Sequence, residues 1–127
     1  MDLNIGPEYV GGSFVCSYCG KLKNDLTGSP KYVGYKFYCD GCGNLKSLKG
    51  ITRRVVDLYC NDCVYLLNFD CAETVVKNNF CCTGCYSLKD LSNAPKLIGN
   101  DFIAKRVKQF TKYEFEDCTK IKGNVFC

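Results

Sequence analysis

The sequence predicts a small, mainly β protein that is stabilised by bound metal. Three observations support this prediction. The chain has 12 cysteines in 127 residues, eight of them form four C-x-x-C pairs, and short apolar stretches of strand-like composition precede these pairs. Cysteine at this density in a short chain indicates either a disulfide scaffold or a metal-binding protein.

The N-terminal residues decide between these two classes. They have neither a basic start nor an apolar run of the kind found in secretory signals, and no stretch of the chain is long and apolar enough for a membrane helix. We therefore expect an intracellular protein, nuclear or cytoplasmic, whose thiols stay reduced. This expectation favours metal binding and leaves a disulfide framework as the alternative.

The four C-x-x-C pairs have the spacing of zinc ligands. Two residues between thiolates allow a tight turn to aim both sulfurs at one ion. The gaps between successive pairs are 19, 17 and 18 residues (20–38, 43–59 and 64–81), which is typical of four-cysteine zinc sites. The sequence thus predicts two Zn2+ ions, with a third as an open alternative. The predicted ligands are Cys16, Cys19, Cys39, Cys42, Cys60, Cys63, Cys82 and Cys85.

An internal repeat suggests which pairs share an ion. Residues 37–48 align with residues 80–91, and seven of these 12 positions are identical. The repeat of about 43 residues predicts sequential sites, with the first two pairs on one ion and the last two on the other. A crossed pairing, and the use of Cys81 in place of Cys82, stay open.

The first two pairs also resemble the knuckles of zinc ribbons. The segments are Cys16-Ser17-Tyr18-Cys19-Gly20 and Cys39-Asp40-Gly41-Cys42-Gly43, and the resemblance covers about residues 14–91. It implies two tandem zinc-ribbon-like units, at 14–50 and 51–91. An N-terminal arm, 1–13, would precede them, and a C-terminal α/β tail, 92–127, would pack on them.

Local patterns fill in these units. Residues 32–38 and 51–59 read as strands that lead into knuckles, and a further strand begins at Thr74. In the tail, Asn100 or Asp101 is expected to cap a helix that ends near Phe110, and residues 122–124 resemble a hairpin turn.

Four cysteines lie outside the pairs, namely Cys71, Cys81, Cys118 and Cys127. Buried, reduced thiols are the favoured interpretation, because a free cysteine packs like a small apolar residue. A third four-cysteine site, or a disulfide or intermolecular contact of Cys127, is the alternative.

A four-thiolate zinc site is coordinatively closed and does not activate water. The chain also lacks His, which excludes imidazole-based catalysis. We therefore expect a non-enzymatic protein whose function lies on its surface. A redox role, suggested by the similarity of the knuckles to those of rubredoxin, is a minor alternative.

Two surface functions follow from the charge pattern and the knuckles. The first is nucleic-acid binding, as an accessory factor in transcription or replication, since the net charge is +4 and basic residues cluster in two places. These residues are Lys46, Lys49, Arg53, Arg54, Lys105, Arg106 and Lys108. The second is protein interaction or assembly, for example as a small viral or polymerase-associated subunit, with a homo-oligomer also open. No membrane partner is expected.

Overall fold

The computed structural model describes residues 8–20, 22 and 24–127, and in this part of the chain the backbone winds into a β-solenoid of about five turns. Each complete turn carries two short strands joined at a bend. Turns 1 to 5 comprise residues 9–31, 32–53, 54–74, 75–96 and 97–119, and residues 120–127 begin a sixth.

The described residues form twelve strands of two or three residues and one helix. The strands are β1 (Tyr9–Val10), β2 (Phe14–Val15), β3 (Tyr32–Val33), β4 (Lys36–Tyr38), β5 (Arg54–Val55), β6 (Asp57–Tyr59), β7 (Val75–Val76), β8 (Phe80–Cys81), β9 (Leu97–Ile98), β10 (Phe102–Ile103), β11 (Lys120–Ile121) and β12 (Val125–Phe126). The helix is α1 (Lys112–Cys118), and a capping box between Thr111 and Glu114 stabilises its N-terminus.

All strand pairs are parallel and join consecutive turns. The even-numbered strands form a six-stranded sheet in the order β12-β10-β8-β6-β4-β2. Strands β5, β7, β9 and β11 form a four-stranded sheet, and β1 pairs with β3. In such a solenoid each turn is stabilised mainly by its neighbours, because equivalent residues stack in register.

The core is built from rows of equivalent apolar residues, one from each turn. One row runs through Phe37, Leu58, Phe80 and Phe102, all fully buried. Ring contacts continue the row across turns, with 5.2 Å between the centroids of Phe80 and Phe102. Phe115 of α1 adds to it, at 5.2 Å from Phe102, so the helix closes the core of turn 5.

The predicted tandem zinc-ribbon-like units are wrong. Each C-x-x-C pair occupies one corner of one solenoid turn, and the apparent repeat of about 43 residues corresponds to two turns of 21 to 23 residues. The ladder of the six-stranded sheet continues past residues 50 and 91, where the predicted units were expected to end. The architecture follows from in-register stacking of the apolar rows.

The tail also differs from expectation. Residues 102–103, expected in a helix, form β10, because Phe102 and Ile103 continue the rows of Phe80 and Cys81 in the sheet. The helix begins later, at Lys112. The expected hairpin at 122–124 does not form, since β11 and β12 belong to different sheets.

The predicted N-terminal arm, 1–13, lies partly outside the described residues, which begin at Glu8. Within the described part, Tyr9 and Val10 form β1 and pair with Tyr32 and Val33. This segment therefore belongs to the first turn of the solenoid.

Candidate functional site

The cysteine pairs stack into two inward-facing rows. The first row holds the first cysteine of each pair and the second row holds the second, each one turn above the last. The first row is Cys16, Cys39, Cys60 and Cys82, and the second is Cys19, Cys42, Cys63 and Cys85. All of these side chains are buried except that of Cys19, which is half-buried. The rows form part of the core.

The residue before each second cysteine turns the chain at this corner. This residue has a left-handed backbone in turns 1 to 4, with φ of 57° at Tyr18, 66° at Gly41, 57° at Asp62 and 79° at Gly84. Arg106, at the equivalent position of turn 5, has a φ of 62°. A positive φ is strained for residues other than glycine, so the corner is imposed by the stacked turns rather than by glycine alone.

Thiol hydrogen bonds link consecutive turns within these rows. In each case the second cysteine of a pair donates its S–H to the carbonyl oxygen of the first cysteine one turn earlier. The bonds are Cys42 to Cys16 at 3.1 Å, Cys63 to Cys39 at 3.0 Å, and Cys85 to Cys60 at 2.9 Å. A thiol that donates in this way satisfies a buried carbonyl.

The fifth turn shows what these positions require. Ala104 and Val107 stand where the earlier turns have their first and second cysteine, and both are buried. Neither side chain can bind a metal or form a disulfide. Small apolar volume is therefore the property that all five turns share at this corner.

The pKa values of the buried thiols shift in different directions. Hydrogen bonding to the Cys85 thiol and burial raise the pKa of Cys60 well above its ordinary value. Burial likewise raises the pKa of Cys82. Hydrogen bonds with Cys16 and Cys63 act in the opposite direction and lower the pKa of Cys42. The thiolate, which is the nucleophile and the metal ligand, is thus disfavoured at Cys60 and Cys82 and favoured at Cys42.

No group of three or more His, Cys, Asp or Glu side chains is placed to hold a metal ion within residues 8–20, 22 and 24–127. The same described part of the chain contains no disulfide. Zinc binding by the eight predicted ligands, with sequential or crossed pairing, stays a prediction.

The four remaining cysteines lie in different environments. Cys71 is buried, Cys127 is exposed, and the Cys118 thiol donates to the carbonyl oxygen of Phe115 in α1. Cys81 lies in β8, beside the inward-facing Cys82, and strand alternation directs its side chain to the outer face of the sheet. Cys81 and Cys85 therefore point to opposite sides of the backbone.

The seven predicted nucleic-acid residues fall in separate turns. Lys46, Lys49 and Arg53 belong to turn 2 and Arg54 to the following strand, whereas Lys105, Arg106 and Lys108 occupy the corner of turn 5. Arg106 forms an ion pair with Asp62, with 3.1 Å between Nη2 and Oδ1. Its charge is therefore partly neutralised within the chain.

Aromatic rings that could have stacked on bases are partly covered. The ring of Tyr38 stacks on that of Tyr59, at 4.8 Å between centroids and 6° between planes. The ring of Tyr18 lies over Gly41, where a Cβ atom would come within 2.4 Å of it. One face of each of these rings is thus covered within the protein, although Tyr18 is 78% exposed.

A second candidate site, which the cysteine pattern does not indicate, lies on the outside of the six-stranded sheet. Its central row consists of the residue just before each first-cysteine position and carries no charge. The row is Val15, Tyr38, Tyr59, Cys81, Ile103 and Phe126. Val15 is 64% exposed and Phe126 43% at the ends of the row, whereas Cys81 is 7% exposed in its middle. Tyr38, Tyr59 and Ile103 are half-buried. An apolar residue recurring at this one position was the available sequence signal.

Two polar rows flank this central row, and together the three rows are called the outer face below. The front row is Ser13, Lys36, Asp57, Asn79, Asp101 and Asn124, and the rear row is Ser17, Asp40, Asn61, Thr83 and Lys105. Many of these side chains accept a hydrogen bond from the backbone N–H one turn later. Asp40 accepts from Asn61 at 2.8 Å and Asn61 from Thr83 at 2.9 Å. These bonds fix the outer face in place.

Comparison with protein-family models, with curated proteins and with solved structures finds no match for this chain. None of the helices in the described residues is both long enough and apolar enough to cross a membrane.

Proposed function

We propose that this chain is a protein-interaction module and that the outer face of its six-stranded sheet is the surface that binds. The main support for this proposal is the uncharged central row, which runs through all six strands of the sheet between two polar rows. A continuous apolar strip with a polar rim is the usual composition of a protein-binding surface.

The rigidity of the outer face supports binding. Backbone ladders hold its strands, and the flanking side chains are tied to the backbone of the next turn. Asp57 is buried and accepts hydrogen bonds from Asn78 and Asn79 through one oxygen, both at 2.9 Å. Because these groups are already ordered, little conformational entropy is lost when a partner docks.

The other sheet offers a contrast. The outward positions of β5, β7, β9 and β11 are Arg54, Val75, Leu97 and Lys120, so charged residues stand at both ends of that row. Its apolar part is therefore limited to two strands. The central row of the six-stranded sheet is therefore the longer uncharged strip on these two sheets of the described residues.

Charge and ring geometry give nucleic-acid binding less support. The basic residues are spread over separate turns, and the tyrosines at 38 and 59 stack on each other. Nucleic-acid binding by the seven basic residues stays a prediction. It differs from the present proposal in its salt dependence, since only contacts with phosphates weaken steeply as salt rises.

The proposal is tested by capture from extracts of the source cells with matched variants. Ile103→Lys places a charge in the central row, and Leu97→Lys makes the same change on an outward, half-buried strand position of the other sheet. We expect proteins that the wild type captures at high salt to be lost with Ile103→Lys and kept with Leu97→Lys.

Circular dichroism tests whether both variants are folded. If Ile103→Lys is unfolded, Val15→Lys replaces it, since Val15 lies at an exposed end of the row. Equal capture by all folded variants would refute the proposal. Recovery of nucleic acid alone, with steep salt dependence, would favour the alternative.

A further inference from the structure

We propose that the partner at the outer face is a second copy of this chain, packed face to face with the two solenoid axes antiparallel. This inference rests on the proposed function, because it uses the same surface. The two-fold axis of this dimer runs parallel to the strands and passes between turns 3 and 4. Turn 2 of one copy then faces turn 5 of the other, and turn 3 faces turn 4.

The charges on the flanking rows support this arrangement. In turn 2, Lys36 lies in the front row and Asp40 in the rear row, and turn 5 has the reverse order, with Asp101 in front and Lys105 behind. Antiparallel packing places front row against front row and rear row against rear row. Lys36 then faces Asp101 of the second copy, and Asp40 faces Lys105 of the second copy, so the charges that these two turns carry on the flanking rows each meet an opposite charge. Lys36 keeps its ion pair with Asp57 of its own chain, with 3.7 Å between Nζ and Oδ2.

The sizes of the central residues agree with the same arrangement. Turn 2 against turn 5 places Tyr38 opposite Ile103, and turn 3 against turn 4 places Tyr59 opposite Cys81. At the ends, Val15 meets Phe126. Each large side chain thus faces a smaller one, which is what close packing between two flat faces requires.

A parallel two-fold arrangement satisfies the charges equally but not the sizes. It would bring Tyr38 onto Tyr38 and Tyr59 onto Tyr59 of the second copy, while Cys81 faced Cys81 across a gap. Rings that already stack along the row cannot move apart to fill such a gap. The large residues of turns 2 and 3 meet the smaller residues of turns 5 and 4 only when the axes are antiparallel, so the order of sizes along the row selects the antiparallel arrangement.

The extent of the outer face sets the expected affinity. Strands about 4.8 Å apart make its six strands roughly 24 Å tall, and its three rows are about 13 Å wide. These dimensions give about 310 Å² per copy and about 620 Å² in total, which is below the range of stable interfaces. We therefore expect weak, transient dimers that form only at high micromolar concentration.

Sedimentation velocity of the full chain from about 5 to about 500 µM tests the inference. The expected mass rises with concentration from 14.2 kDa towards twice that value. Lys105→Asp places two acidic groups opposite each other and should raise the dissociation constant by about tenfold or more. Lys105→Asp combined with Asp40→Lys should restore the wild-type value.

This rescue reports on contacts between copies. Residues 40 and 105 lie three turns apart in one chain, roughly 14 Å, so they cannot compensate each other directly within it. In the parallel arrangement Lys105 would face Asp101, and Lys105→Asp would be rescued by Asp101→Lys instead. If Asp101→Lys rescued Lys105→Asp and Asp40→Lys did not, the antiparallel arrangement would be overturned.

The experiment separates failure of this inference from failure of the proposed function. A monomer at every concentration, with capture from extracts still lost in Ile103→Lys, would overturn the second copy as partner and leave the interaction surface in place. If Ile103→Lys changed neither capture nor self-association, the outer face itself would be refuted and both proposals would fall.

Discussion

The Cys85 thiol donates a hydrogen bond of 2.9 Å to the carbonyl oxygen of Cys60, one solenoid turn earlier. In the next turn, Ala104 and Val107 take the positions of Cys82 and Cys85. The fold thus already contains one turn in which an apolar pair does the packing of a cysteine pair. Packing at this corner therefore does not itself require a thiol.

The double variant Cys82→Ala/Cys85→Val, which copies turn 5 into turn 4, is expected to fold. It loses one thiol hydrogen bond and leaves the Cys60 carbonyl without that donor, at a cost of about 1–3 kcal/mol in the free energy of unfolding. Urea unfolding measures this cost, and Leu66→Ala in the same core, expected to lose about 2–5 kcal/mol, serves as reference.

A variant that fails to fold would instead point to zinc. Removing half the ligands of a structural site would abolish a binding free energy on the order of 10 kcal/mol, which is more than a small domain has to lose.

Metal removal gives an independent prediction. The hydrogen bonds that the thiols donate to carbonyls predict that chelation leaves the thermal unfolding midpoint unchanged, whereas the zinc sites predicted from the sequence require this midpoint to fall. Elemental content per chain should be measured on the same samples. Two zinc ions per chain and a midpoint that collapses on chelation would re-establish the zinc sites predicted from the spacing of the pairs.

The spacing of the cysteines matches the length of a solenoid turn as well as the spacing of zinc ligands. Cys16, Cys39, Cys60 and Cys82 are 23, 21 and 22 residues apart, which is the length of a solenoid turn. The same period continues into turn 5, where Phe102 follows Phe80. Because Ala104 stands there in place of the cysteine, the positions of the cysteines do not reveal this continuation. The period becomes visible only when apolar residues of different types are treated as equivalent.

Other features could not be read from local patterns. Residues 102–110 have apolar residues at helical spacing, yet Phe102 and Ile103 form a strand because the neighbouring turn offers β8 as a template. The outer face was equally hidden, since it unites residues from six strands that are more than 100 residues apart at its ends. Tertiary stacking overrides local propensity in such short strands.

Glycine positions test the stacking of the turns. A Cβ atom on Gly99 would lie 2.1 Å from the carbonyl oxygen of Lys77 in the preceding turn, and that backbone cannot move without breaking the ladder. We expect Gly99→Ala to lower the free energy of unfolding by about 2 kcal/mol or more. Gly43→Ala is the matched control, since no atom lies within 4 Å of the added carbon. Similar losses in both variants would contradict the register of turns 4 and 5.

The raised pKa values of the thiols predict that stability falls at alkaline pH. Burial raises the pKa of Cys81 from its ordinary 9.0 to about 11. Between these two values the unfolded chain has released this proton while the folded chain still holds it, so the unfolded state binds fewer protons and the free energy of unfolding decreases as pH rises. The contribution is complete below pH 9 and lost as pH approaches about 11.

Urea unfolding at pH 8, 9 and 10 measures this slope, to which one fully shifted thiol contributes up to about 1.4 kcal/mol per pH unit. Cys81→Ala removes the titrating group and should flatten the slope by up to that amount. Cys127→Ala, which deletes an exposed thiol, is the matched control. Because both variants keep every tyrosine and lysine, the difference between their slopes isolates Cys81. Equal slopes would mean that its thiol titrates in the folded protein as it does in the unfolded chain.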